Sequence, residues 1–85
     1  MDRYWEKEQP RTFKTGRNVV DYYVDAEKLS IARPVWTDDT GKERQGKTVT
    51  LDIFALLESD RSTIDAARDI FTSIITAIDD RLEIL

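Results

Sequence analysis

Between Lys28 and Ile53 the chain alternates twice. Leu29, Ile31, Arg33 and Val35 fall on one side of an extended segment, with Ser30, Ala32, Pro34 and Trp36 on the other. Val49, Leu51 and Ile53 then oppose Thr48, Thr50 and Asp52. A helix would scatter these residues around its axis, whereas a strand with one buried face needs this period of two. The polar run Asp38 to Gln45 separates the arms, so the sequence predicts strands over 28–37 and 46–53 joined by a long loop. Two shorter strands are expected upstream, over 11–16 and 18–25. In the second, Val20, Tyr22 and Val24 share one face while Val19, Asp21 and Tyr23 share the other, a β-branched and aromatic pattern suited to a pleated surface. Pro34 has no N–H to donate, which puts the third strand at an edge or gives it a bulge.

After the strands the period changes. Ile64, Ala67, Phe71, Ile74, Ile78, Leu82 and Leu85 recur at spacings of three and four, and Ile70 and Ile75 widen the stripe. Ser62 stands three residues before Asp65, close to a capping box, and no Pro or Gly interrupts the run from there to Leu85. A helix from about Thr63 to about Leu82 is the consequence. The apolar run Phe54 to Leu57 fits either an extension of the fourth strand or a first helical turn. The fold class is therefore α+β, an antiparallel sheet of about four strands followed by one long C-terminal amphipathic helix. Residues 1–10 read as a loosely ordered arm whose Tyr4 and Trp5 pack on the sheet, and residues 11–85 as a single domain.

A chain of 85 residues builds only a thin core. With no cysteine it has no disulfide to reinforce that core, and neither a thiolate metal site nor a cysteine nucleophile. With no histidine it also lacks the commonest general base at neutral pH. Self-association remains as a way to enlarge the core, and the helical stripe exceeds what a four-stranded sheet needs. Phe71, Ile74, Ile78 and Leu82 are the expected homodimer contacts. No apolar run approaches the ~20 residues of a membrane span, and no apolar leader opens the chain, so a cytoplasmic protein is expected. Charge is divided unevenly. Residues 1–47 hold ten Lys and Arg against nine Asp and Glu, and residues 48–85 hold three against eight. Such asymmetry fits one surface that meets an anionic partner and another that stays acidic.

Gly41-Lys42-Glu43-Arg44-Gln45-Gly46-Lys47-Thr48 matches the phosphate-cradling pattern G-x-x-x-x-G-K-[ST]. That chemistry needs a helix to begin at the Lys-Thr end, and here a strand comes next, so the segment reads as a hairpin loop. Asp38, Asp39 and Glu43 have the wrong spacing for a calcium loop, and Lys42 and Arg44 would repel the cation. No Ser, Thr or carboxylate pair stands in a catalytic arrangement. The expectation is a non-enzymatic binding module without cofactor or metal.

One constellation points to a ligand. Tyr23 and Trp36 lie on strand faces opposite the most apolar residues, with Lys14, Arg17, Arg33, Lys42, Arg44 and Lys47 nearby on strands or turns. Cations that track phosphates and flat rings that stack on bases make up a platform for single-stranded nucleic acid. These eight residues are the candidate nucleic-acid-binding set. Arg33 is unusual because it occupies an apolar position of its strand.

The order Arg33-Pro-Val-Trp36-Thr-Asp38-Asp-Thr-Gly41, then Gly46-Lys47-Thr-Val-Thr-Leu51, resembles the third and fourth strands of a known family. These are the single-stranded-DNA-binding transcriptional coactivators known as positive cofactor four, with their bacterial and phage relatives. Phe13-Lys-Thr-Gly16-Arg17 is similar to that family's opening turn. The resemblance covers roughly residues 12–52 and rests on short motifs. It implies a homodimer whose curved sheets present Arg17, Arg33, Trp36 and Lys47 to unpaired strands. The chain departs from the family in its acidic balance and in the apolar stretch Phe54 to Leu57. The competing expectation is a protein-interaction module, an adaptor or inhibitor of bacterial or phage type, that uses the acidic helix face or the Trp36 side of the sheet.

Overall fold

The computed structural model describes residues 3–44 and 46–85, so expectations that touch Met1, Asp2 and Gln45 lie outside the described residues. The chain divides into two compact units, Met1–Phe54 and Ala55–Leu85. In the first unit the described residues form a one-turn helix α1 (Tyr4–Lys7) and strands β1 (Arg11–Lys14), β2 (Val19–Tyr23), β3 (Lys28–Ala32), β4 (Trp36–Thr37), β5 (Glu43–Arg44) and β6 (Thr48–Asp52). Four of them pair antiparallel in the order β1-β2-β3-β6, and β4 and β5 form a separate two-stranded ribbon. The fold is α+β.

Register turns alternation into two chemically distinct faces. Phe13, Val20, Ile31 and Val49 stand in one row across the sheet, and Arg11, Tyr22, Leu29 and Leu51 in the next. The opposite face carries Thr12, Asp21, Ser30 and Thr50 in register, with the Thr12 hydroxyl donating to Asp21 at 2.6 Å. Lys28 and Asp52, also paired on that face, form an ion pair at 2.6 Å. Burial within this sheet is slight. Val20 on the apolar face and Tyr23 on the polar face are its buried apolar side chains, whereas Phe13, Ile31, Val49 and Leu51 are exposed.

The third strand is shorter than the sequence implies. Arg33 still donates its N–H to the Lys47 carbonyl at 3.0 Å, but Pro34 has no N–H to continue the ladder. β3 lies inside the sheet, between β2 and β6, so Pro34 marks neither an edge strand nor a bulge. It ends the strand. Trp36 consequently leaves the sheet and pairs with Arg44 in the ribbon. Gly46 secures the point where the chain returns, since a Cβ there would collide with the Arg33 carbonyl.

The described residues of the N-terminal arm contact the sheet and its β2–β3 turn. The ring of Tyr4 meets Tyr23 edge-on, with centroids 5.0 Å apart, and Trp5 at 4.9 Å. The Glu8 carboxylate accepts the N–H groups of Asp25, at 2.9 and 3.1 Å, and Ala26, at 3.3 Å. Those bonds brace the β2–β3 turn, where Glu27 holds φ of 55°.

Helix α2 (Ile53–Leu57) resolves the ambiguous apolar run as helical, and α3 (Arg61–Ile84) extends beyond the expected bounds at both ends. Its N-cap is Asp60 and not Ser62. The Asp60 carboxylate accepts the Thr63 N–H at 2.9 Å, and Ser62 donates its hydroxyl to the same carboxylate at 3.2 Å. These bonds, from Thr63 first, lower the Asp60 pKa. Along α3, Phe71, Ile74, Ile78 and Leu82 are all exposed in the single chain.

Candidate nucleic-acid interface

Arg33 succeeds Leu29 and Ile31 in the alternation of β3, which brings it to the end of the apolar face instead of its middle. Lys47 stands opposite it, joined through the Arg33 N–H, and Gly46 lets the two backbones approach. The β1–β2 turn reaches the same end of the sheet. There the Thr15 hydroxyl oxygen accepts the N–H groups of Arg17 and Asn18, each at 3.0 Å, and the Thr15 N–H donates to the Asn18 carbonyl at 2.9 Å. The β1–β2 turn and the paired ends of β3 and β6 therefore place three cations around one depression.

That depression has two lobes. One, of about 650 Å3, is lined by Gly16, Arg17, Asn18, Arg33, Pro34, Val35 and Trp36. The other, of about 480 Å3, adds Ile31, Gly46, Lys47 and Val49 to Asn18, Arg33 and Trp36. Arg33 and Trp36 belong to both lobes, and the Trp36 side chain is 52% exposed. The cleft is open, half apolar, and edged by Arg17, Arg33 and Lys47. It sets a flat ring beside positive charge.

The other four predicted residues lie elsewhere. Tyr23 is not available for stacking, because it is 9% exposed and its ring is covered edge-on by Tyr4. Burial, and then the neighbouring Asp21 carboxylate, push its phenol pKa up. Arg44 donates its Nε–H to Asp38 at 2.9 Å, an exposed ion pair on the ribbon that holds its guanidinium beside a carboxylate. Lys42 sits on the exposed hairpin turn, where its N–H donates to Asp38 at 3.0 Å. Lys14 ends β1 on the row of Val19 and Ala32, which belongs to the polar face.

Asp38 organises the ribbon. Its carboxylate receives the Thr40 hydroxyl at 2.6 Å, the Arg44 guanidinium at 2.9 Å and the N–H groups of Lys42 and Thr40. Led by the Thr40 hydroxyl, these bonds lower its pKa to about 2. Gly41, at φ of 83°, supplies the left-handed step that closes the turn. The acidic turn whose composition invites a calcium reading is thus a self-contained hairpin.

Asn18 lines the cleft without having been singled out in the sequence, although Thr-Gly-Arg-Asn is a strong turn signal. A separate recess of about 370 Å3 lies on the polar face, between Tyr4, Trp5, Tyr23, Ser30, Thr48 and Thr50. Among the described residues, no three acidic side chains are grouped to hold a metal, and no helix is long and apolar enough to cross a membrane. No family model matches the chain, and no curated protein or solved structure matches it significantly.

Proposed function

We propose that this chain is a non-enzymatic module that binds single-stranded nucleic acid in the cleft formed by Arg17, Arg33, Trp36 and Lys47. The observation that carries the reading is convergence. Arg17 lies on the β1–β2 turn, Arg33 and Lys47 face each other where β3 and β6 end, and Trp36 lies on the ribbon, yet all four line one open depression with a half-exposed indole shared by both lobes. Unpaired bases expose faces that stack on such a ring, while their phosphates meet the surrounding cations. A duplex keeps those faces stacked, so the cleft favours single strands. The same four positions carry the resemblance to the positive cofactor four family, which supports the reading. Homodimerisation through Phe71, Ile74, Ile78 and Leu82 belongs to it, since these side chains form an exposed apolar stripe on α3.

The test is a titration of the protein into a fluorescently labelled single-stranded oligonucleotide, read by anisotropy at low and physiological salt with duplex as control. Saturable binding that prefers the single strand and weakens with salt is expected. Absence of binding at low salt overturns the reading and leaves a protein-interaction module as the alternative. The exposed acids of α3, including Asp65, Asp69 and Asp80, would then be the surface to probe.

A further inference from the structure

The two edges of the four-stranded sheet differ. β1 is preceded by Pro10 and carries Arg11 and Lys14, features that discourage pairing with another strand. β6, at the other edge, reads Thr-Val-Thr-Leu with no charge until Asp52, and Thr48, Val49, Thr50 and Leu51 are all exposed. Its first four residues carry none of those features.

Its hydrogen-bonding direction is set by the ladder. Arg33 donates to Lys47 and Ile53 donates to Glu27, which makes 33 with 47 and 27 with 53 hydrogen-bonded pairs of the β3–β6 register. Such pairs alternate in an antiparallel ladder, so Val49 and Leu51 direct their N–H and C=O groups inward to β3. Thr48 and Thr50 direct theirs outward. Among the described residues no strand pairs with that outer side. Two consecutive outward positions therefore offer two donors and two acceptors at the sheet edge.

We propose that β6 is a self-pairing edge, with Thr48-Val49-Thr50 joining antiparallel to the same segment of a second copy about a two-fold axis at Val49. The segment reads identically in both directions, so one register satisfies both copies. Thr48 then exchanges backbone hydrogen bonds with Thr50 of the second copy, and Thr50 with its Thr48, making four bonds. Val49 meets its own counterpart in a non-hydrogen-bonded pair, where Cα atoms approach to about 4.5 Å. The most exposed apolar side chain of the sheet, at 69%, thereby acquires a partner. The row Phe13, Val20, Ile31 and Val49 continues without a break into its two-fold-related row, while threonines meet on the polar face. A second copy is favoured over an unrelated strand because β6 itself supplies the pattern required, an apolar residue between two threonines. Contact of this size is at the low end of specific interfaces, so association depends on concentration. The inference does not rest on nucleic-acid binding, and it concerns a surface distinct from the α3 stripe.

The absence of cysteine makes the test direct. In the full chain, Val49→Cys is compared with Phe13→Cys, an exposed position on the opposite edge strand, under mild oxidation at high protein concentration. The proposed spacing lies within the roughly 4.4–6.8 Å that a disulfide spans between Cα atoms. Val49→Cys is expected to run largely as a covalent dimer on a non-reducing gel, with Phe13→Cys remaining monomeric. Adding Thr50→Pro, which removes only an outward N–H, is expected to suppress the cross-link while the circular dichroism spectrum is retained. If Val49→Cys cross-links no faster than Phe13→Cys, the proposal is overturned, whatever α3 does.

Discussion

Trp36→Ala separates stacking from charge. The indole is half exposed, lines both lobes of the cleft and sits on the ribbon outside the four-stranded sheet. Its removal therefore takes away a binding surface without opening the sheet, and the thermal midpoint should hold. A base stacked on an aromatic ring contributes roughly 1–3 kcal/mol, so affinity for a single strand should fall by about 5- to 150-fold. Because no charge is lost, the slope of log K against log salt should not change. Lys47→Ala should behave in the opposite way, flattening that slope by about 0.7 for one lost contact to a single-strand phosphate. Anisotropy titrations of both variants across a salt series measure the two effects together. Unchanged affinity for Trp36→Ala refutes stacking at this site. A flattened slope for the same variant shows instead that Trp36 acts by positioning a neighbouring cation.

The geometry dictates three further outcomes. Gly46→Ala drives a methyl into the Arg33 carbonyl, which cannot rotate away, so about 1–3 kcal/mol of stability should be lost by denaturant melting along with the cleft. Glu27→Gly relieves a left-handed backbone held by a residue with a Cβ and should raise stability by about 1 kcal/mol, read as a higher thermal midpoint. Asp38 has a folded pKa of about 2, below the ordinary 3.8, so its contribution to the hairpin is complete above about pH 4 and is lost as pH falls through about 2. The Thr40 and Lys42 amide resonances should report that loss, and Asp38→Asn should abolish its pH dependence.

The strand faces were legible because period two is a local property. Val20 and Tyr22 fall together, as do Leu29 with Ile31 and Val49 with Leu51, and register only had to align them. The α3 stripe was legible for the same reason at period 3.6. Its cap was less so, since Asp60 and Ser62 are both good capping residues and only backbone geometry chooses between them. Alternation also runs unbroken through Arg33, Pro34 and Trp36, which hid the break in β3. The missing Pro34 N–H outweighs that pattern. Least legible were effects between distant residues. Packing of Tyr4 on the sheet was expected, but not that it would cover the ring of Tyr23, and the pairing of Asp38 with Arg44 has no local signal. Strand register also brings Arg17, on the β1–β2 turn, to the end of the sheet that holds Arg33 and Lys47.

The β4–β5 ribbon is stitched shut by the bond between Arg33 and Lys47 at its base and by Asp38 at its tip. Everything between them is an excursion from a sheet that is otherwise a simple meander. Loop-closure entropy grows only slowly with length, by about 0.6 kcal/mol per doubling, so the ribbon can be lengthened or exchanged at Thr40 and Gly41 at little cost to the scaffold. Trp36 lies on that excursion while Arg33 and Lys47 lie on the scaffold. Substitutions confined to residues 36–44 therefore leave the Arg33–Lys47 bond and the register of the four-stranded sheet in place.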